Sequence, residues 1–363
     1  MSVMVLPAAM ALEKLAKFDA VIDARSEAEF AEDRLPGAIN WPSLNDAERV
    51  EVGTLYKQVS PFDARKLGAG LVAANIARHI ARDIGDKPKD WQPLVYCWRG
   101  GQRSNSLALV LGQIGFRVNL LEGGYKAFRH AVLASLPGLV ERLQYRVVCG
   151  PTGSGKTRLL QALEAAGAQV LDLEALASHR SSVLGLIPGQ PQPTQKRFDT
   201  LVWERLRAFD PARPVYVESE SKKVGNLAVP EPLMAAMRAS PCLRLDLSDD
   251  ERVRLLLEDY AFFATDTDLF CSRLNALVQL RGRAQVEAWQ KQVHAGDIEA
   301  VVRELLVKHY DPGYASSTSR NFSGFAAAQP IAPADRTPEA MAQLAREMVG
   351  SLREPTLRGP VVS

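Results

Sequence analysis

At 363 residues the chain is longer than one hydrophobic core usually organises, so two domains are expected. Hydrophobic residues make up 47% and charged residues 24%, which excludes a disordered or fibrous chain. The 44 basic and 42 acidic residues leave a net charge of +2, which neither demands nor forbids a nucleic-acid partner.

No apolar run reaches the ~18 residues that a membrane span needs, and the N-terminus lacks a basic segment followed by an apolar stretch and a cleavage site. A cytoplasmic protein without membrane attachment is therefore expected. The four cysteines lie far apart without disulfide or metal spacing, and the five histidines form no ligand pair at helical spacing.

In chain order, Ala20-Val21-Ile22-Asp23 reads as a buried parallel strand. A short helix from Ser26 to Phe30 follows, with Ser26 as N-cap. Leu35 to Asn40 is a turn leading into a second strand, and Leu71 to Ile84 is helical. Leu94-Val95-Tyr96 then delivers Cys97 into the loop Trp98-Arg99-Gly100-Gly101-Gln102-Arg103-Ser104, which runs into an apolar helix at Leu107 to Leu111. Backbone N–H groups from Trp98 to Arg103, the positive end of that helix and the charges of Arg99 and Arg103 predict an anion cradle. A thiol so placed is expected to be partly exposed and to favour the thiolate, which makes Cys97 the candidate for covalent chemistry. Val118 to Leu121 forms the next strand, ahead of Glu122-Gly123-Gly124-Tyr125.

Asp23 with Arg25, Pro36-Gly37-Ala38, the Cys97 loop and Leu121-Glu122-Gly123-Gly124 together resemble a rhodanese domain over roughly residues 5–135. Arg34 stands where that family often has histidine. The resemblance implies a strand-end cysteine that carries sulfur or selenium. Five residues separate Cys97 from Arg103, one more than in the usual single-domain sulfurtransferase loop and similar to cysteine phosphatases and arsenate reductases. A loop of that size suits a tetrahedral, phosphate-sized anion.

Residues 136–145 read as the end of a connector helix, bent near Pro137-Gly138. Tyr145 to Cys149 is a strand, and Gly150-Pro151-Thr152-Gly153-Ser154-Gly155-Lys156-Thr157 opens the helix beginning at Leu159. This is the phosphate-binding P-loop in its required strand-loop-helix context. Its N–H groups wrap phosphate oxygens, Lys156 supplies a point charge and Thr157 is a ligand for Mg²⁺.

Further strands are expected at Gln169–Leu173, Pro214–Glu218 and Cys242–Leu247. Asp172, Glu218 and Glu220 are candidates to hold Mg²⁺ from strand ends, with none singled out, and His179 and Arg180 lie in a loop able to line the same cleft. Arg252, Arg254, Arg273, Arg281, Arg283 and Lys291 fall on helices and are either a solvated face or a grip on an RNA backbone. Residues 146–325 are expected to form the P-loop domain. Residues 326–363 are expected to supply a linker, rich in Ala, Pro and Gln from Gly324 to Pro338, then a helix from Glu339 to Leu352 and a tail.

The predicted fold class is α/β throughout: an N-terminal rhodanese-like parallel-sheet domain, then a P-loop NTPase-like α/β domain. That order, with Asp172-Leu173-Glu174, His179-Arg180, Glu218-Ser219-Glu220 and His309-Tyr310-Asp311-Pro312, resembles the tRNA 2-selenouridine synthase family. Arg180-Ser181-Ser182 departs from the Arg-Gly-Ser expected there. The resemblance implies replacement of sulfur by selenium in wobble 2-thiouridine of tRNA, with selenophosphate as donor and a geranylated intermediate made from geranyl diphosphate. No tightly bound cofactor is expected, Mg²⁺ is a candidate ion at the P-loop through Thr157, and a selenophosphate-supplying enzyme is a candidate partner. A rhodanese-type sulfurtransferase, or a cysteine phosphatase or arsenate reductase, fused to an ATP-binding P-loop domain, is the alternative.

Overall fold

The computed structural model describes residues 3–180 and 189–351. Ser181, Ser182, Leu352 and the tail lie outside them. The chain divides into two compact units, Met1–Leu136 with Pro193–Glu204, and Pro137–Gln192 with Arg205–Ser363.

The first unit holds β1 (Met4–Leu6), β2 (Ala20–Asp23), β3 (Ala38–Asn40), β4 (Pro93–Tyr96) and β5 (Asn119–Leu121), all parallel and ordered β1-β5-β4-β2-β3. Every residue of the central strand β4 is buried, as its unbroken Leu-Val-Tyr run requires of a strand covered on both faces. Ile22, Val95, Leu107, Leu111 and Val118 pack with Trp41, Trp91 and Phe116 in one core. Because the strands are parallel, the loops that follow β2, β4 and β5 emerge at the same end of the sheet, where Cys97 lies.

The helix Gly124–Glu141 continues through Pro137 rather than breaking there, at the loss of the backbone hydrogen bond that proline has no N–H to make. Within the helix Gln195–Ala208, the residues up to Glu204 complete the first unit. Thr200 donates to the Asp33 carboxylate (2.9 Å), Arg129 pairs with Asp199 (2.8 Å), and Trp203 stands edge-on to Phe128 and donates to the Ser135 hydroxyl (2.9 Å).

The second unit has a parallel sheet ordered β12-β11-β6-β8-β7, made of β6 (Tyr145–Cys149), β7 (Gln169–Leu171), β8 (Val215–Glu218), β11 (Pro241–Leu245) and β12 (Gly324–Ile331). A small antiparallel pair, β9 (Lys223–Val224) and β10 (Leu227–Ala228), follows β8. The stretch from Gly324 that composition predicts to be a linker is instead the edge strand β12, with Leu243 opposite Gln329 and Leu245 opposite Ile331. An edge position tolerates Pro330 and needs few large apolar residues, so the composition misleads. The helix Pro338–Ser351 then packs Met341, Leu344 and Ala345 against Leu159, Leu160 and Leu163. Phe270, Leu274, Trp289, Val293 and Val301 form a smaller helical core. Among the described residues, no helix is long and apolar enough to cross a membrane.

Candidate functional site

Cys97 follows β4 directly, and its sulfur sits at the N-terminal end of the helix Gln102–Ile114. It accepts hydrogen bonds from the N–H of Gly101 (3.2 Å), which caps the helix, and from the hydroxyl of Ser104 (3.1 Å). The loop is held from below by the turn after β5. Tyr125 N–H donates to the Cys97 carbonyl (2.8 Å) and Lys126 N–H to that of Trp98 (3.0 Å). Gly124 has φ +58° and lies so close to the Cys97 carbonyl that a Cβ would overlap it, so only glycine fits. Trp98 stacks on Tyr125 at 5.4 Å.

Two expectations for this loop change. Cys97 is only 3% exposed rather than partly open, because Gly101 and Ser104 close over the sulfur. Arg103, expected to face the anion, pairs instead with Glu29 (2.7 Å). Burial pushes the Glu29 carboxyl up, but the hydrogen bond and charge of Arg103 more than offset it and hold it below its usual range. Glu29 also accepts from the N–H of Ser26, so Arg103 fastens the helix to the loop after β2. Arg99 and Gln102 remain exposed. Beneath the loop, Arg25 binds Asp23 (2.6 Å) and the carbonyl of Asp33, Tyr96 donates to Asp23 (2.7 Å), and Arg25 lies 4.0 Å over the Tyr125 ring. This buried lattice fixes the strand ends that carry Cys97.

In the second unit β6 leads into the P-loop, and Gly155, at φ +87°, caps the helix Lys156–Ala165. Lys156 Nζ donates to the Gly150 carbonyl (2.8 Å), which keeps the ammonium over the loop. Arg252 clamps the loop from outside, donating to the Thr152 carbonyl through Nε (3.0 Å) and Nη2 (2.9 Å) while pairing with Asp311 and Asp249. At 4% exposure Arg252 leaves the row of candidate RNA-binding residues. Two of its companions are also engaged, Arg254 with Glu251 and Arg281 with His309. A cavity of about 1010 Å³ opens at the loop, lined among others by Lys156, Thr157, Arg180, Glu218, Lys223 and Tyr310.

The two halves each match a described family: residues 8–131 the rhodanese-like domain, and residues 143–273 the tRNA 2-selenouridine synthase AAA domain. A tRNA 2-selenouridine synthase of Marinobacter nauticus is 34% identical over 330 residues, covering 81% of this chain and 87% of that protein. One from Cupriavidus necator is 35% identical over 335 residues, 82% of this chain and 87% of that protein. One from Nitrosomonas europaea is 36% identical over 247 residues, 66% and 63% of the respective chains. The chain belongs to the tRNA 2-selenouridine synthase family.

The cavity at the P-loop also gathers acidic side chains. Glu174, Glu218 and Glu220 bring carboxylate oxygens within 4.8 Å of one another. Of the three sequence candidates, Asp172 drops out, because its Oδ1 accepts from Ala175 N–H (2.8 Å) and caps the following helix. Glu174 replaces it and accepts from the Thr157 hydroxyl (3.2 Å). The sequence signals for Glu174 are its place in the Asp172-Leu173-Glu174 motif and in the first turn of a helix that begins at a strand end.

Glu218 is 1% exposed and, among the described residues, its Oε1 has no hydrogen-bond partner. Burial first, then the charges of Glu174, Glu220 and Asp172, push its carboxyl well above the usual range, against the pull of Lys156. An orphaned buried oxygen beside two carboxylates and a hydroxyl fits a hard divalent cation such as Mg²⁺. His179 is buried nearby, and burial pushes its imidazole below the usual range, with Glu174 opposing. Arg180 is anchored to the Asp259 carbonyl (2.6 Å) and lies 4.6 Å over the Tyr260 ring.

Proposed function

We propose that this enzyme converts 2-thiouridine at the tRNA wobble position to 2-selenouridine, taking selenium from selenophosphate at the Cys97 loop and passing through an S-geranyl intermediate made from geranyl diphosphate at the P-loop. The observation that carries the reading is the presence, in one chain of this family, of a hydrogen-bonded thiol at a helix N-terminus and of a separate polyphosphate loop.

In the first reaction the thiouridine sulfur attacks the allylic carbon of geranyl diphosphate. The S–C bond forms as the C–O bond breaks, diphosphate departs with the electron pair, and the base loses its N3 proton to solvent. The loop N–H groups and Lys156 stabilise the charge that grows on the departing oxygens. Thr157, Glu174, Glu218 and Glu220 are the residues that would hold Mg²⁺, which would neutralise diphosphate.

In the second reaction selenium of selenophosphate, already fully reduced, needs no electrons. A persulfide-like adduct on Cys97 would require an oxidant, whereas attack of the Cys97 thiolate on phosphorus does not. The S–P bond forms, the P–Se bond breaks, and selenide leaves to add at C2 of the base. Geranyl thiolate departs with the C–S electron pair and takes up a proton, and water hydrolyses the thiophosphate. Gly101 N–H and the Ser104 hydroxyl hold the attacking sulfur at the N-terminal end of the helix Gln102–Ile114.

The test is nucleoside mass spectrometry of tRNA from cells expressing the wild type, Cys97→Ala or Lys156→Ala. The reading requires that the first variant lacks 2-selenouridine and the second lacks geranylated thiouridine. Selenouridine at wild-type levels in Cys97→Ala removes the thiol from the reaction. Sulfur transfer from thiosulfate by Cys97 with tRNA nucleosides unchanged would favour the sulfurtransferase alternative.

A further inference from the structure

Beside the Cys97 loop lies an open groove of about 580 Å³ lined by Arg99, Gly123, Lys126, Ala127 and His130. Its charge is uncompensated. No carboxylate lines it, and among the described residues the side chains of Arg99, Lys126 and His130 make no hydrogen bond or ion pair. Other cations of the same unit are paired: Arg25 with Asp23, Arg103 with Glu29, Arg129 with Asp199 and Lys196 with Glu32.

The groove also lies at the start of the 18-residue helix Gly124–Glu141, whose positive end adds to Arg99 and Lys126. Its floor is kept small, because a Cβ on Gly123 would meet Ala127 Cβ at 2.8 Å. Lys126 and His130 project from one helix face, one turn or about 6 Å apart. A row of donors along a shallow, exposed groove matches a chain of phosphates better than a single compact anion, and the exposed His130 ring offers a face on which a base stacks.

We infer that the Arg99–Lys126–His130 groove holds the phosphodiester backbone of the tRNA next to the nucleotide that is modified. This rests on the proposed tRNA reaction and names residues of this chain that grip its substrate. The expected partner is single-stranded RNA of an anticodon loop rather than a duplex, because the groove reads backbone and an unstacked base.

The experiment is tRNA binding by the full-length Lys126→Glu/His130→Ala variant, measured from low to moderate salt with a thiouridine-containing tRNA. Inorganic phosphate protection of Cys97 against iodoacetamide is measured in parallel. The expected result is a drop in affinity on the order of tenfold, with the log–log salt slope reduced by about 0.7–0.9 for each phosphate that the variant no longer neutralises. Phosphate protection of Cys97 should be unchanged, and Lys126→Arg should keep wild-type binding. Unchanged affinity and slope overturn the inference, as does loss of phosphate protection with tRNA binding intact, which would make the groove a small-anion site. Failure of the wild type to bind tRNA would count against the reaction proposed above. Both substituted side chains are exposed, so an unchanged Tm verifies folding.

Discussion

The Cys97 loop and the P-loop solve one problem in opposite ways. Each places a glycine-rich turn between a parallel strand and the N-terminus of a helix, a geometry whose N–H groups suit an anion. Around Cys97 the interior is neutralised: Arg25 meets Asp23, Arg103 meets Glu29, and the sulfur itself is hydrogen-bonded. At the P-loop three carboxyl groups, those of Glu174, Glu218 and Glu220, are left crowded together. The polar groups around Cys97 are paired within the fold, whereas the carboxyl cluster at the P-loop is where the proposed Mg²⁺ would bring countercharge.

The sharpest break in that comparison is Cys97→Ala, which should remove selenouridine from tRNA entirely while Tm moves by no more than a few degrees; nucleoside mass spectrometry and thermal denaturation read the two effects. Lys156→Ala comes next. Loss of one donor to a developing negative charge costs about 10²–10³ in kcat, so geranyl transfer should fall by that factor in a purified assay while iodoacetamide reacts with Cys97 at the wild-type rate.

Gly124→Ala should act on the first site alone. A left-handed φ of +58° and overlap with the Cys97 carbonyl require the turn to move, and strain of this kind costs about 1–3 kcal/mol. Chemical denaturation should show that loss, and selenium transfer should fall with geranylation retained.

The smallest effect concerns Glu218, whose raised folded pKa sets the sign of its pH dependence. The protonated carboxyl is favoured in the folded state, so its contribution is fully present below the ordinary ~4.3 and is lost as pH rises above it. At neutral pH without divalent cation, Glu218→Gln should therefore raise Tm by about 2–4 °C, the response to ~1 kcal/mol for a unit of this size. Added Mg²⁺ should narrow or reverse the difference. A Tm that is independent of both pH and Mg²⁺ would remove the contrast between the two sites.

Much of both cradles was legible because their chemistry is local. Cys97 to Ser104 and Gly150 to Thr157 are continuous segments, and Ser26 announces its helix as an N-cap. What stayed hidden depends on partners distant in sequence. Arg103 looked free until Glu29 met it, and Arg252 looked like a surface cation until Thr152 and Asp311 enclosed it. Glu174 joins the acidic cluster only because the helix after β7 brings it to Thr157. β12 evaded its composition because an edge strand is specified by the neighbour it pairs with, not by its own hydrophobicity.

The residues up to Glu204 of the helix Gln195–Ala208 carry a further consequence. Thr200 and Trp203, which bond Asp33 and cover Phe128, leave the ribosome well after the sheet they complete. At ~5–20 residues per second, the nascent N-terminal half waits several seconds with an apolar ring and a carboxylate uncovered. That interval is when a holding chaperone would engage it, and a gene truncated after the first sheet would yield a chain that stays in that exposed state.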